Sequence, residues 1–170
     1  EESRRANLLK ASEMLRQAGY VVKEEKLYAP DGSPVTFEVL LSDPAEEKVA
    51  LEWTRMLQRL GIAAHVRTVD SAQYQARLTS FDYDVTTGRW YNSLSPGNEQ
   101  IFYWGSQAAA QQGSRNYPGI HDSVVDALAE AIPAALTRDD LVATTRALDR
   151  VLMAGHYVIP FYHLGADPIA

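Results

Sequence analysis

The alternation of strand-like and helix-like patterns between residues 35 and 86 constrains the fold more than any other feature. The run from Val35 to Leu41 is apolar and rich in β-branched residues, which is typical of a buried strand. An amphipathic segment with helical spacing follows, then strand-like residues 62–69, a second amphipathic segment, and a period-two run at 81–85. Because a helix between two strands implies a parallel, right-handed crossover, this β-α-β-α-β order predicts an α/β fold with a mixed, partly parallel sheet.

Capping residues bracket the helices that flank this predicted sheet. Ser3 and Gly19 suit the two ends of an N-terminal helix, and Asp43 followed by Pro44 suits the start of the helix that Gly61 ends. Glu46 is placed to close the second cap. Further caps are expected at Asp70, Asp122 and Thr137, short strands are expected around the Asp31–Gly32 turn, and a last strand is expected at 157–162, with Pro160 at an edge or bulge.

Length and composition narrow the classes of protein that the chain can represent. Its 170 residues are the size of one domain, and a hydrophobic content of 46% is enough for a packed core. No apolar run approaches the roughly 18 residues of a membrane span. The 16 basic and 22 acidic residues give a net charge of −6, which argues against nucleic-acid binding. The absence of cysteine excludes a disulfide scaffold, a cysteine hydrolase and a Cys-ligated zinc module.

Residues 86–121 depart from the pattern of the scaffold. Only Arg89, Glu99 and Arg115 carry a full charge there, while Trp90 and Trp104 are two of the three tryptophans of the chain. Connections longer than about 12 to 15 residues are uncommon and usually functional. Aromatic rings among amide and hydroxyl groups suit a recognition surface, so we predict a long recognition loop at about 86–121. The alternative is a loop whose aromatic side chains only close the end of the sheet.

The sequence offers no pattern for catalysis or metal binding. Asp82 and Asp84 lie two apart on a predicted strand and share a face, but polar positions of a half-exposed strand explain them better than an acid/base pair does. No metal-ligand spacing, nucleophile elbow or phosphate-binding loop is present. The four histidines are interpreted as solvated or structural residues: His65, His121, His156 and His163. We therefore predict a protein that is not an enzyme and that carries no cofactor or metal.

Several short motifs, in their order and spacing, carry a family resemblance over nearly all of the chain. They are Phe81–Asp84 (FDYD), Pro96–Gln100 (PGNEQ), Gly113–Ile120 (GSRNYPGI) and Leu148–Leu152 (LDRVL). The chain resembles the family 5 extracellular solute-binding proteins, the oligopeptide- and dipeptide-binding receptors of ABC importers. Within that family it is most similar to the subgroup that takes up microcin C-like peptides.

The resemblance implies a fold and a role. Members of the family have two lobes that close over a ligand, and residues 1–170 would form most of the C-terminal lobe as a fragment without the other lobe. The implied role is the capture of a peptide or peptide-like solute for an ABC transporter permease, without direct insertion into the membrane. The implied location is the periplasm, or the outer face of the membrane through a lipid anchor.

The same resemblance suggests where a ligand binds. Trp90 matches a tryptophan that lines the cavity in this family, but the aspartate that often follows it is missing, since no acid occurs before Glu99. Arg89 and Arg115 are candidates to bind a carboxylate or phosphate, or alternatively to stabilise the loop. The candidate ligand-binding residues are Arg89, Trp90, Tyr91, Asn92, Ser95, Arg115, Asn116 and Tyr117.

Two alternatives to peptide binding stay open at this stage. The family that the chain resembles also includes receptors for oligosaccharides, metal chelates and haem, and the fold alone does not select among these solutes. The segment 86–121 is also compatible with a protein-docking module that binds a transporter or another partner.

Overall fold

A computed structural model describes residues 3–90, 93 and 95–160 of the chain. The chain divides into two compact units, residues 1–88 and residues 89–170. Within the described ranges, no helix is long and apolar enough to cross a bilayer.

The first unit contains the predicted β-α-β-α-β order. Three parallel strands form a sheet in the order β4-β3-β5, with Val39 of β3 opposite Val66 of β4 and Val85 of β5. A small antiparallel hairpin, β1-β2, lies before this sheet in the chain. The elements in order are α1 (Arg4–Gln17), β1 (Val21–Lys23), β2 (Lys26–Tyr28), β3 (Thr36–Leu41), α2 (Pro44–Gln58), β4 (Ala63–Thr68), α3 (Ser71–Ser80) and β5 (Val85–Thr86).

Apolar side chains of β3 and α2 make the core of this unit, and the expected caps hold its helices. Val39, Leu41 and Ala50 are buried, and the rings of Phe37 and Trp53 pack on them 5.8 Å apart. The carboxylate of Asp43 accepts the N–H of Ala45 at 2.8 Å, which confirms the predicted start of α2. The caps predicted at Ser3 and Asp70 are confirmed by the same kind of hydrogen bond.

The strand predicted at 81–85 is wrong in its first four residues, since β5 contains only Val85 and Thr86. Phe81 ends α3 in the left-handed conformation, with φ at 56°. Asp84 then binds the neighbouring strand through its side chain, because its carboxylate accepts the N–H of Glu38 at 2.8 Å. A side-chain acceptor thus takes the place of a backbone carbonyl, and the parallel pairing with β3 begins only at Val85.

The second unit is helical in its described part. Its core contains Tyr103, Trp104, Ile120, Val125, Ile132 and Leu148. Asp122 and Thr137 cap the last two helices through side-chain oxygens, as predicted. The elements are α4 (Glu99–Trp104), α5 (Ser106–Ala109), α6 (Ser123–Ala131) and α7 (Arg138–Ala154).

Two predictions for this unit need correction. The segment 86–121 is not a continuous loop, because α4 and α5 lie within it and Tyr103 and Trp104 of α4 are buried in the core. The strand predicted at 157–162 is not formed by residues 157–160, where Val158 and Ile159 remain exposed instead of packing on a sheet. Residues 161 and 162 lie outside the described residues.

Candidate functional site

Four aromatic side chains of the second unit form one layered group, which we call the aromatic cluster: Trp90, Tyr103, Trp104 and Tyr117. The ring centroid of Trp90 lies 5.0 Å from that of Trp104 and 5.8 Å from that of Tyr117. Tyr103 meets Trp104 edge-on at 6.3 Å. Tyr103 and Trp104 are buried, whereas Trp90 and Tyr117 are half-buried. The cluster therefore has a buried base and an outer layer that solvent reaches.

Hydrogen bonds inside the protein occupy the indole N–H groups of this cluster. Nε1 of Trp90 donates to the backbone oxygen of Arg115 at 3.2 Å, and Nε1 of Trp104 donates to Oε1 of Gln100 at 3.0 Å. The bond from Trp90 fixes its ring plane, because the indole cannot rotate without losing its acceptor. Trp90 thus offers apolar ring surface to a ligand, with its one hydrogen-bond donor already used.

Arg115 places a positive charge next to the aromatic cluster. Its guanidinium carbon lies 6.0 Å from the ring centroid of Tyr103, which is within the range of a cation–π contact. The side chain is exposed, and none of the described carboxylates forms a salt bridge with it. Arg115 can therefore bind an anionic group without first breaking an ion pair. Arg89, which directly precedes Trp90, is also exposed.

Asn116 lies inside the protein and shapes the turn between Arg115 and Tyr117. It is fully buried, and its Nδ2 donates to the backbone oxygens of Gly105 at 2.9 Å and Ile120 at 3.0 Å. Its Oδ1 accepts the N–H of Ile120 at 2.9 Å. Both amide hydrogens are used within the chain, so the structure gives this candidate ligand-binding residue the role of holding its two neighbours in place.

The other candidate residues lie before α4. Ser95 is exposed, and its backbone N–H donates to Oγ of Ser93 at 3.1 Å while its carbonyl accepts from the same hydroxyl at 2.8 Å. Tyr91 and Asn92 lie outside the described residues. The structure therefore brings together Trp90, Arg115 and Tyr117, with Asn116 beneath them.

Glu99, the first acid after Trp90, is held by its own turn. Its Oε1 accepts the backbone N–H of Gly97 at 2.8 Å and Nε2 of Gln100 at 3.2 Å. Burial on its own raises the pKa of Glu99, but hydrogen bonds from the backbone N–H groups of Gly97 and Glu99 and from Gln100 bring the pKa below its ordinary value. The carboxylate is thus kept ionised by contacts that fix the entry to α4.

The first unit has a polar rim that the sequence reasoning missed, at the carboxyl ends of the parallel strands. The hydroxyl of Tyr74 donates to the backbone oxygen of Thr87 at 2.7 Å and lies 2.9 Å from Oγ1 of Thr86. Oγ1 of Thr87 donates to Oε2 of Glu46 at 2.6 Å. Ligands of open α/β sheets bind at this edge, so the carboxyl end of the strand predicted at 81–85, with the two threonines that follow it, was the signal that could have located the rim.

The comparisons with known proteins agree on one family. The description "Bacterial extracellular solute-binding proteins, family 5 Middle" matches residues 1–112. An uncharacterized protein of Sinorhizobium fredii, y4wM, is 53% identical over 98% of the chain. Two proteins of Agrobacterium fabrum are also similar: a "Probable peptide-binding protein YejA", 43% identical over 98% of the chain, and a "Peptidoglycan-binding protein YepA", 42% identical over 94%.

Solved structures show the same fold at low sequence identity. The oligopeptide-binding protein AppA of Bacillus subtilis, in complex with a nonapeptide, matches 88% of the chain with a TM-score of 0.78 and 19% identity. A periplasmic oligopeptide-binding protein of Thermotoga maritima, bound to mannohexaose, matches 90% with a TM-score of 0.75 and 17% identity. The chain spans 25% of y4wM, 27% of YejA, 26% of YepA, and 30% of each of these structures.

Proposed function

The chain belongs to family 5 of the bacterial extracellular solute-binding proteins, and we propose that it forms part of a receptor that captures a peptide or peptide-like solute. In this proposal the solute is passed to an ABC transporter permease. The receptor works in the periplasm or at the outer face of the membrane, and residues 1–170 belong to its C-terminal lobe. The observation that carries the proposal is the aromatic cluster, in which a hydrogen bond fixes the Trp90 ring and both outer rings, Trp90 and Tyr117, are reachable from solvent.

The geometry of the cluster suits a peptide. Ring faces of Trp90 and Tyr117 give apolar area on which side chains and flat peptide groups pack, at little cost in conformational entropy. The guanidinium of Arg115 supplies a partner for a carboxylate of the solute, with Arg89 as a second candidate. Tyr91, Asn92 and Ser95 would add hydrogen bonds, and Asn116 acts beneath them as a positioning residue.

The charges near the cluster favour a solute whose carboxylate, rather than its amine, meets this part of the receptor. Arg115 lies beside the rings, whereas the nearest acid in sequence, Glu99, is held by its own turn. The acid that pairs with an amino terminus would then come from another part of the receptor. The resemblance to the subgroup that takes up microcin C-like peptides, and the names of the two Agrobacterium relatives, support a peptide-like solute.

An oligosaccharide is the second candidate solute, and a specific observation favours it. A structural relative is bound to mannohexaose, and fixed aromatic faces whose N–H groups are already satisfied also suit the stacking of sugar rings. Metal chelates and haem, or docking of a protein on residues 86–121, are further alternatives. In each case the protein binds its partner without transforming it.

Native mass spectrometry of the complete protein tests which class of solute is bound. The protein is incubated with a mixed peptide digest in one sample and with a panel of oligosaccharides in another. We expect retained peptides, and their masses would reveal the preferred length and terminal charge. Retention of a sugar with no peptide would support the role as a solute receptor but would overturn the assignment of a peptide as its solute. Retention of neither class, with binding of a protein partner instead, would overturn the proposal.

A further inference from the structure

The polar rim of the first unit lies where the order of the strands reverses. β3 is the central strand, with β4 on one side and β5 on the other, so the connection from β3 runs to one side of the sheet and the next connection crosses to the other. In open α/β sheets such a reversal leaves a crevice outside the carboxyl ends of the strands, and ligands bind there. In this unit the crevice lies beyond Leu41 of β3 and Thr86 of β5.

Side chains from both faces of the sheet converge at this end of β5. α2 packs on the face that carries Val85, and Glu46 reaches from its first turn to Oγ1 of Thr87 at 2.6 Å. From α3, Tyr74 reaches Oγ1 of Thr86 at 2.9 Å and the backbone oxygen of Thr87 at 2.7 Å. Consecutive side chains of a strand point to opposite faces, so the two threonines meet two different helices. Three elements thus contribute polar groups to one point.

The hydroxyl hydrogens of the rim are used inside the protein. Thr87 donates to Oε2 of Glu46, Tyr74 donates to the backbone oxygen of Thr87, and Thr86 donates to the backbone oxygen of Leu40 at 3.0 Å. A hydroxyl group has one hydrogen and two lone pairs, and a carboxylate has acceptor sites alone. What the rim can offer to a ligand is therefore oxygen lone pairs, which favour a ligand that donates hydrogen bonds.

The charge of this edge selects the same kind of ligand. Asp43 caps α2, Glu46 and Glu47 occupy its first turn, and Asp70 caps α3 directly after β4. The two capping carboxylates accept backbone N–H groups of their own helices, at 2.8 to 3.0 Å, whereas Glu46 reaches the end of β5. Glu46 is half-buried and Thr87 is exposed, so a solute can reach both. The negative potential of such an edge attracts a cation.

A protonated amine matches these properties. An ammonium group has three N–H donors, no acceptor and a positive charge, so it can bind a carboxylate and a hydroxyl oxygen at once. A hard metal ion matches less well, because it takes six or more oxygen ligands or several carboxylates. Within the described ranges, no group of three or more acidic, histidine or cysteine side chains is arranged to hold a metal.

We propose that the polar rim binds the amino terminus of the solute, with the carboxylate of Glu46 as its anionic partner and Oγ1 of Thr87 as a second acceptor. The assignment of the ammonium group to a peptide-like solute rests on the proposed function. Glu46 then supplies the acid that the sequence lacks between Trp90 and Glu99.

A titration of the ¹⁵N-labelled chain at pH 7 tests the rim by itself. The probe is trialanine amide, which has an ammonium group and no carboxylate, and the comparison is its N-acetylated form. We expect saturable amide shifts at residues 46 and 86–88 with the first compound and none with the second. Glu46→Gln should weaken the binding about tenfold, because a charge-assisted hydrogen bond is lost.

Glu47→Gln is the matched control. Glu47 lies on the same turn and is also half-buried, but its carboxylate meets Oγ1 of Thr68, at 3.4 Å, at the end of β4. We expect this change to alter the affinity by less than about twofold. The rim assignment is overturned if the acetylated compound gives the same shifts, if the two glutamine variants weaken binding equally, or if potassium chloride at equal concentration reproduces the shifts.

The complete protein separates this inference from the proposed function. A peptide that it retains should bind more tightly with a free than with an acetylated amino terminus, and Glu46→Gln should remove that preference. Equal affinity of the parent for both forms would overturn the rim assignment and leave the peptide receptor standing. Binding of trialanine amide at the rim, with no peptide retained by the complete protein, would support an amine site and overturn the proposed function instead.

Discussion

At the scale of the residue, Asn116 explains how a polar, glycine-rich segment becomes a fixed surface. Its three side-chain hydrogen bonds tie the turn before Ile120 to the end of α4 at Gly105. The sequence predicted recognition residues on both sides of it from their composition. It could not separate Arg115 and Tyr117, which reach solvent, from Asn116, which does not, because all three are residue types that occur in binding sites and the difference depends on tertiary burial.

Removal of the Asn116 side chain should therefore destabilise the second unit. The variant Asn116→Ala leaves the carbonyl oxygen and the N–H of Ile120 without their partners in a buried site, while the carbonyl oxygen of Gly105 keeps only the N–H of Ala108, and we expect a loss of about 3 kcal/mol in the free energy of unfolding. Urea unfolding followed by tryptophan fluorescence measures it. The control is Asn98→Ala, because Asn98 is exposed and its side chain makes no capping hydrogen bond, so a change within about 0.5 kcal/mol is expected. Equal effects of the two variants would contradict this account.

At the scale of the element, the short helix α5 depends on a carboxylate from another helix. Asp126 of α6 accepts the backbone N–H of Ser106 through one oxygen and the Ser106 hydroxyl through the other, both at 2.7 Å. These hydrogen bonds, from the side chain first and then the backbone, hold the pKa of Asp126 below its ordinary value against the opposing effect of burial. A four-residue helix cannot stabilise itself, so this contact fixes the start of α5.

The contribution of Asp126 to stability should depend on pH with a defined sign. A carboxyl group whose pKa is lower in the folded than in the unfolded state stabilises the fold above its unfolded pKa, near 3.8, and loses this effect as the pH falls through the folded value. We expect Asp126→Asn to cost about 1 kcal/mol at pH 7, with the difference from the parent shrinking below pH 4. Denaturant unfolding at several pH values measures it. A difference that grows below pH 4 would contradict the assignment, and the exposed substitution Asp149→Asn serves as the control.

The hairpin β1-β2 packs on the turn between α2 and β4 at a glycine. The N–H of Leu27 donates to the backbone oxygen of Gly61 at 2.8 Å, and a Cβ on Gly61 would lie only 2.7 Å from that nitrogen. Gly61 also has a φ of +82°, where other residues are strained. Both the conformation and the close approach of the backbone therefore require glycine here.

Two alanine variants separate these two requirements. Gly32 has a φ of +85° but open space around it, so Gly32→Ala should cost only the conformational strain, about 1 kcal/mol. Gly61→Ala adds a clash with the backbone of the hairpin and should cost roughly 3 kcal/mol. Urea unfolding followed by circular dichroism measures both. A Gly61→Ala variant as stable as Gly32→Ala would show that the hairpin moves freely away from the turn.

Elements that begin at a capping residue next to them in the sequence could be predicted. Elements whose limits depend on contacts between residues far apart in the sequence could not. The caps at Asp43, Asp70 and Asp122 lie next to the helices that they begin, and the structure confirms each of them. The shortening of β5 depends on Asp84 reaching Glu38, 46 residues away, and no local pattern contains that contact. The helix α4 was missed because its packing residues, Tyr103 and Trp104, are aromatic and were interpreted as a recognition surface. The helix α5 was missed because its four residues are too short to show a helical pattern.

At the scale of the whole molecule, the chain belongs to family 5 of the solute-binding proteins, and we propose that it supplies only part of the solute site. The chain spans about a quarter of its curated relatives, so we propose that the remaining contacts to the solute come from elsewhere in the complete protein. In this proposal, binding favours a closed state only through contacts that both lobes make together. The fold class was predictable from the strand and helix order, while the identity of the solute is not contained in that order.

The isolated 170-residue chain should accordingly bind peptides very weakly. A chain that carries only part of the site makes only part of the contacts, but the ligand still loses its full translational and rotational entropy on binding. We therefore expect a dissociation constant no tighter than the millimolar range. Titration calorimetry of the chain with a peptide retained by the complete protein measures this. Micromolar binding to the chain alone would contradict the division of the site between two lobes.

The most direct test of the central claim is the affinity of the complete protein for its retained solute after Trp90→Ala. If the aromatic cluster contacts the solute, titration calorimetry should show binding weakened by roughly 2 kcal/mol, about thirtyfold, as for a buried aromatic anchor. The control is Trp53→Ala, which removes a tryptophan that packs with Phe37 on the core of the first unit and should leave the affinity unchanged while the protein stays folded. An unchanged dissociation constant for a folded Trp90→Ala protein would contradict the claim and exclude the aromatic cluster from the binding site.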